Sequence, residues 1–485
     1  METPAERLQR GSENGIICGM KTKLCVMVVA AAAAGTVFGG ALDFAWIKGT
    51  TDKDPITYKS GEKMVFTLSL EGIEGAVPEG EYFLDWKRSG DDGLVETGKL
   101  AVTGAPFVYE TKIDKPGFVR IQANVVDKGG KRYVKKFTGD ATTPEGKAAM
   151  NRFERQNKAV FFDGGAGADI ETLRTEPEPK DFDAFWAKQY ARLDKVPLKD
   201  DRIEVNLTNS KARVFAVRVD CAGLRPVTGY LTVPKAVEEG KTFPARLVTH
   251  GYSSDRCTQR APLSAQDNEI VLNINAHGLK LIEFGATEAD TKALRWEMRP
   301  HAREWQKWSY AFDPDQNADP EVAYFNGMVL RVKRALQFLK TVKGWNGKDL
   351  IASGGSQGGL QTIWAAACGE GVTRAESGIT WNCDMYTSGK LRTDRKLKLA
   401  ADGWYIPWVE ALGYYDAAIF GKRIPKTCRT VITRAGLGDY CCPPTGLAKL
   451  WNNIPGNKEI HWVQGSQHGY VPPAYEGRDF VREQE

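Results

Sequence analysis

Residues 350–367 carry the feature that most narrows the fold. An apolar run, Leu350-Ile351-Ala352-Ser353, passes at once into Gly354-Gly355-Ser356-Gln357-Gly358-Gly359, and then into Leu360-Gln361-Thr362-Ile363-Trp364-Ala365-Ala366-Ala367. This reads as a short strand, a sharp turn and a helix. A serine raised on such a turn has neighbours so close that only glycine fits two residues to either side, and Gly354 and Gly358 meet that demand. A bare G-x-S-x-G also arises as an ordinary glycine-rich turn. The flanking strand and helix are what make Ser356 a candidate nucleophile.

The wider pattern agrees. From about Lys180 onward, apolar β-like runs alternate with amphipathic segments of helix length, the signature of a mostly parallel sheet covered by helices on both faces. Strands are expected at Ala245–Thr249, Ile270–Ile274, Leu350–Ser353 and Thr430–Thr433. A helix is expected over about Glu321–Val342, with Val322, Phe325, Val329, Val332, Leu336 and Leu339 on one apolar face. This predicts an α/β-hydrolase domain over residues 162–485. Between Phe44 and Asp140, short runs such as Glu81-Tyr82-Phe83-Leu84-Asp85-Trp86 alternate at period two between turn signals, without helix-length periodicity. About six or seven strands fit, predicting a small immunoglobulin-like β-sandwich over 44–140. Residues 141–161 are polar and read as a connector. Two domains suit a chain of 485 residues.

The charge balance, 66 basic against 61 acidic residues for a net +5, contains no long basic block and excludes a nucleic-acid footprint. Met20, a candidate start, is followed by Lys21 and Lys23, an apolar run from Leu24 to Ala34, and small residues including Gly39, Gly40 and Ala41. That pattern assigns 1–41 to a signal peptide and an upstream segment. The run falls short of the roughly 20 residues of a spanning helix. A secreted or periplasmic protein without a stable membrane anchor is therefore expected. Nine cysteines less Cys18 and Cys25 leave seven, so at least one thiol is expected to stay free where disulfides persist. Cys441 and Cys442 are adjacent, and no pair shows metal-ligand spacing, so no metal site is expected.

A serine hydroxyl needs a base, and histidine is the usual one. Of five histidines, His250, His277 and His301 precede Ser356 and break the order serine, acid, histidine. His461 falls within a final strand, Glu459–Val463, where a sheet-face role is expected. His468 follows that strand in the loop Gln464-Gly465-Ser466-Gln467-His468-Gly469, and is the expected base. Asp439, in the loop after Thr430–Thr433, stands where the orienting acid belongs. Asp384, Asp394, Asp402 and Asp416 fall in an aromatic-rich insertion and are expected at the surface or the substrate rim. The backbone N–H of Gln357 and of Tyr252, the latter in the loop His250-Gly251-Tyr252, are the expected oxyanion donors. Trp381, Trp404, Tyr405, Trp408, Tyr414 and Tyr415 suit either sugar stacking or core packing.

These residues resemble the acetyl xylan esterase and cephalosporin C deacetylase group, carbohydrate esterase family seven. Asp181-Phe182-Asp183-Ala184-Phe185-Trp186 is similar to the opening helix of that family, Thr228-Gly229-Tyr230-Leu231 with Val233-Pro234 to its early strands, and His250-Gly251-Tyr252 to its oxyanion loop. Gly354 to Gly359 matches its G-x-S-Q-G-G motif, and Asp439 followed by Cys442-Pro443-Pro444 resembles its acid loop. Two places depart: His277-Gly278-Leu279 stands where the family has Arg-Gly-Gln, and Gly469 follows His468 where Glu is usual. The resemblance implies a secreted serine esterase that removes acetyl groups from carbohydrates such as acetylated xylan or xylo-oligosaccharides. It also implies no metal or organic cofactor, and a homo-oligomer. The same residues are compatible with a uronate esterase or peptidase on this scaffold, and with a non-catalytic carbohydrate-binding protein.

Overall fold

A computed structural model describes residues 41–485, except 155–157, 176, 207–210, 253–266, 299–312, 388–405, 469–470, 473–476 and 485. The expected signal segment up to residue 40, together with His301, Asp394, Asp402, Trp404, Tyr405 and Gly469, lies outside the described residues.

The period-two alternation of the N-terminal part becomes strands β1 (Trp46–Thr51), β2 (Met64–Glu71), β3 (Tyr82–Gly90), β4 (Glu96–Ala101), β5 (Phe107–Thr111), β6 (Gly117–Asp127) and β7 (Phe161–Ala168). They pair antiparallel as two sheets, β1-β2-β5 and β4-β3-β6-β7. Alternate residues of both sheets, among them Ile47, Phe66, Leu84, Ile121 and Phe162, share one apolar cluster. The helix α1 (Pro144–Arg152) in the expected connector buries no residue, and its first turn is capped by Thr143, whose Oγ1 accepts from the Gly146 N–H at 3.0 Å.

β7 crosses the boundary expected at 161/162 and completes the N-terminal sheet by pairing with β6 along its length. Its sequence, Phe161-Phe162-Asp163-Gly164-Gly165-Ala166-Gly167-Ala168, is too glycine-rich to announce a strand. The glycines serve close approach instead: a methyl group on Gly165 would lie 2.3 Å from Val119 O and 3.1 Å from Leu437 O.

The second part is built on a sheet of β8 (Asp200–Val205), β9 (Ala212–Val219), β10 (Val227–Pro234), β11 (Phe243–Thr249), β12 (Ile270–Asn275), β13 (Trp345–Gly355), β14 (Arg374–Gly378), β15 (Arg429–Gly436), β16 (Lys458–Val463) and β17 (Asp479–Gln484). Its strand order is β17-β16-β15-β14-β13-β11-β12-β10-β9-β8. The stretch from β12 to β16 is parallel, and antiparallel strands close both edges. The helices that accompany it are α2 (Phe182–Asp194), α3 (Glu288–Glu297), α4 (Tyr324–Leu339), α5 (Gln357–Ala367), α6 (Ala417–Gly421) and α7 (Pro444–Asn453). The fold class is α/β.

Two local expectations shift. Val322 was expected on the apolar face of α4 but is exposed, because Asp319 accepts from the Glu321 and Val322 N–H groups and holds that stretch as a turn before the helix begins. Phe325, Val329, Val332, Leu336 and Leu339 are buried as expected, each stabilising by roughly 1.5–3 kcal/mol relative to exposure. The strand bearing His461 is not the last: β17 pairs with β16, and Asp479 from β17 meets His461 Nδ1 at 3.1 Å. No helix among the described residues is long and apolar enough to cross a membrane.

Candidate active site

The turn between β13 and α5 places Ser356 at φ 57 and ψ −119, a conformation costly for a residue with a Cβ. Crowding explains the glycines around it. A methyl group on Gly354 would lie 2.3 Å from Thr249 Oγ1 and 2.7 Å from the Gly358 backbone, and one on Gly358 would lie 2.5 Å from Thr249 O. The strained turn is tied down from β14 and the segment after it: the Ser356 N–H donates to Gly378 O at 2.8 Å, and the Trp381 N–H donates to Ser356 O at 3.1 Å.

Three side chains from three loops form one hydrogen-bonded line. His468 Nε2 meets Ser356 Oγ at 3.1 Å, and His468 Nδ1 meets Asp439 Oδ2 at 2.9 Å. The Asp439 side chain is fully buried while that of His468 retains 16% exposure, so the carboxylate is sealed and the imidazole keeps some contact with solvent. The other Asp439 oxygen, Oδ1, accepts from the Cys441 and Cys442 N–H groups at 2.9 and 3.0 Å, which fixes the carboxylate plane.

Gln357 is the first residue of α5, where backbone N–H groups have no acceptor within the helix. The Tyr252 loop is held by His250, whose Nε2 accepts from the Ala276 N–H at 2.9 Å and whose Nδ1 meets Gly251 O at 2.6 Å. Burial pushes His250 down to about 4, so it is neutral, in keeping with a structural turn residue. The Tyr252 ring packs edge-on to Trp381 at 5.4 Å.

Several residues escaped the reading of the sequence. Arg331 of α4 is buried and donates from Nε to Ala276 O at 2.9 Å, bracing the loop 275–279 from a helix, where the resembling family has Arg within the loop itself. Cys441, Cys442 and His468 bring two thiols and an imidazole nitrogen within 4.8 Å of one another. Sequence spacing is blind to that cluster, because His468 comes from a different loop. The six described mature cysteines are all free thiols. Asp384 and Asp416, expected at the surface or rim, are buried: Asp384 pairs with Lys449 at 2.5 Å, and Asp416 accepts from the N–H groups of Asp384, Met385 and Ala418. Carboxylates pass for rim residues in a sequence when their partners are distant in it. Trp381 and Tyr415 are likewise core residues, whereas Trp408 and Tyr414 are half-buried.

The N-terminal sheets reach this site. Arg120 of β6 and Asp163 of β7 form a buried ion pair, with Nε to Oδ1 at 2.7 Å and Nη2 to Oδ2 at 2.6 Å. The guanidinium lies over the Tyr440 ring at 4.2 Å, next to Asp439, and Gln467 Nε2, next to His468, donates to Asp163 Oδ2 at 2.8 Å. Gln464 exchanges two hydrogen bonds of 2.9 Å with the Gly165 backbone. Both loops of the hydrogen-bonded line therefore rest on β6 and β7.

Residues 168–395 match the family described as Acetyl xylan esterase (AXE1). Over that stretch, just under half of its length, the chain is similar to the acetyl xylan esterases. The matched stretch includes Ser356 and ends before Asp439 and His468. Acetyl esterase Axe7A of Xylanibacter ruminicola is 26% identical over 303 residues, covering 59% of this chain and 64% of that protein, so the match spans somewhat less than two thirds of this curated relative's length. Among solved structures, an acetyl xylan esterase from a Paenibacillus species aligns at 21% identity and TM-score 0.48, covering 64% of this chain and 96% of the other. Acetyl xylan esterase 1 from a Thermoanaerobacterium species aligns at 18% identity and TM-score 0.47, covering 63% and 94%.

Proposed function

We propose that the chain is a serine esterase that removes acetyl groups from carbohydrates, with Ser356 as nucleophile. The observation that carries this reading is the continuous line from Ser356 Oγ through His468 to the buried Asp439, starting at a strained strand-to-helix turn. The sheet order, with the elbow strand β13 central and an antiparallel β10 beside the parallel stretch, supports an α/β-hydrolase domain. The two N-terminal sheets with their shared cluster support an immunoglobulin-like sandwich ahead of it. The match to the acetyl xylan esterase family supports the acetyl group and the glycan as substrate.

In this reading His468 Nε2 takes the proton from Ser356 Oγ as the oxygen attacks the acetyl carbonyl. Asp439 holds Nδ1–H and stabilises the imidazolium that forms. The N–H groups of Gln357 and Tyr252 receive the developing oxyanion, each such donor being worth on the order of 100- to 1000-fold in turnover. His468 then protonates the departing sugar hydroxyl, and water repeats the sequence on the acetyl-enzyme to release acetate. These steps need only side chains, backbone amides and water. The segment from Met20 to Ala41 supports action outside the cytoplasm.

Acetate release from acetylated xylo-oligosaccharides by the mature protein, run beside Ser356→Ala, tests the proposal. Release that disappears in the variant is the expected result. Ser356-dependent cleavage of a small activated ester without release from the glycan removes the substrate assignment, and cleavage of neither removes the enzyme.

A further inference from the structure

β15 contains an irregularity shortly before the Asp439 loop. Its register against β16 shifts between Ile432 and Ala435, and within that bulge Arg434 adopts φ 55, a left-handed backbone that disfavours any residue with a Cβ. Bulges beside active sites commonly serve to re-aim a side chain. Here the guanidinium is turned over the ends of β13 and β14: a methyl group on Gly378 would lie 3.5 Å from Arg434 Nη2, and one on Gly355, the residue before Ser356, would lie 4.0 Å from it. These are ordinary contact distances, so the guanidinium lies directly against both glycines.

Several other arginines with constrained side chains have committed donors: Arg120 pairs with Asp163, Arg246 with Glu269 and Glu376, and Arg423 with Glu178 and Asp183, while the buried Arg331 and Arg334 donate to backbone carbonyls. The Arg434 side chain has no hydrogen bond or ion pair with any described residue, although the residue remains exposed to solvent. Partial burial pulls its pKa below the usual arginine range, and no carboxylate among the described residues opposes that pull. A permanent cation is thus held against Gly355, the residue before the candidate nucleophile, on a strained backbone, with donors that no described residue engages. Its planar fork of N–H groups matches a carboxylate better than any other common group on a glycan.

We propose that Arg434 is a substrate-binding residue that receives a carboxylate carried by the glycan, so that the preferred substrates are acetylated chains bearing uronic-acid branches. This rests on the esterase reading and sharpens its substrate class. It is distinct from cleavage of a uronate ester, since here the carboxylate is free and only binds.

The test compares the full-length protein with Arg434→Gln and Arg434→Glu on acetylated xylo-oligosaccharides with and without a glucuronosyl branch, and on a small neutral acetate ester. Expected are a wild-type preference for the branched substrate, a KM for it that rises about 10-fold or more in Arg434→Gln with kcat little changed, and a further rise in Arg434→Glu. Cleavage of the small neutral ester is expected to stay within about 2-fold, as for a surface change that spares the fold and the elbow. Equal losses on branched, unbranched and small substrates, or an unchanged preference in the variants, would overturn the proposal. A direct binding measurement separates this from the esterase reading: Ser356→Ala protein titrated with deacetylated glucuronosyl-xylo-oligosaccharide is expected to bind, and the same protein carrying Arg434→Gln to bind at least about 10-fold more weakly. Binding that ignores Arg434 rejects the carboxylate site even if acetate release is confirmed.

Discussion

Gln467, the residue before His468, donates from Nε2 to Asp163 Oδ2 at 2.8 Å, and Asp163 belongs to a strand of the N-terminal sheet. Through this bond the imidazole loop is anchored to a part of the chain some three hundred residues earlier. Asp163→Asn removes one half of the buried pair and leaves Arg120 charged without a counter-ion. A loss of roughly 3–5 kcal/mol in stability is expected, read from the midpoint of urea unfolding. A change within the error of the measurement would mean that water already reaches the pair.

Asp439→Asn preserves the shape of the loop while withdrawing the charge that holds Nδ1–H. If the histidine works as the base, kcat for ester cleavage should fall by about 10,000-fold with the fold intact. Activity within a factor of ten of the parent protein would remove Asp439 from the mechanism.

The pH profile provides a third check. Cys441 is pulled down to about 6, first by its hydrogen bond with Cys442 and then, against burial, by the charge on His468. Burial alone would depress His468, but Cys441 and then Asp439 hold it well above its ordinary value. General base catalysis needs the neutral imidazole, so the rate climbs as pH rises through the His468 pKa. Cys441→Ser removes one influence that raises this pKa, and the acid limb of kcat/KM should move to lower pH. A limb that stays in place or moves to higher pH would show that the thiol does not couple to the base.

Gly358→Ala would put its new carbon 2.5 Å from Thr249 O and 3.1 Å from the carbonyl carbon of His250. The backbone must give way, and a cost of about 1–3 kcal/mol is expected in thermal or urea unfolding, with loss of esterase activity as the elbow shifts. Parent-like stability and activity together would contradict the packing described around the turn.

The local grammar of the sequence was sufficient for much of this. Period-two alternation located β2, β3 and β6, the helical stripe located α4, and the glycine spacing located the Ser356 turn, because each depends on residues within one or two turns of chain. The order of Ser356, Asp439 and His468 along the chain singled out His468 among five histidines, and it is His468 that lies within hydrogen-bond distance of both Ser356 and Asp439. Only the tertiary structure decided which side chains face one another. Arg331 bracing a loop from a helix, Asp384 meeting Lys449, the two thiols beside His468, and the β6–β7 pair under the loops of Asp439 and His468 all join residues far apart in sequence. Burial and charge pairing depend on what lies across the contact, and one strand of sequence carries no record of its opposite side. Arg434 shows the limit most plainly: it reads as an ordinary arginine at the end of a strand, and only the bulge that turns it over Gly355 and Gly378 gives it a site to serve.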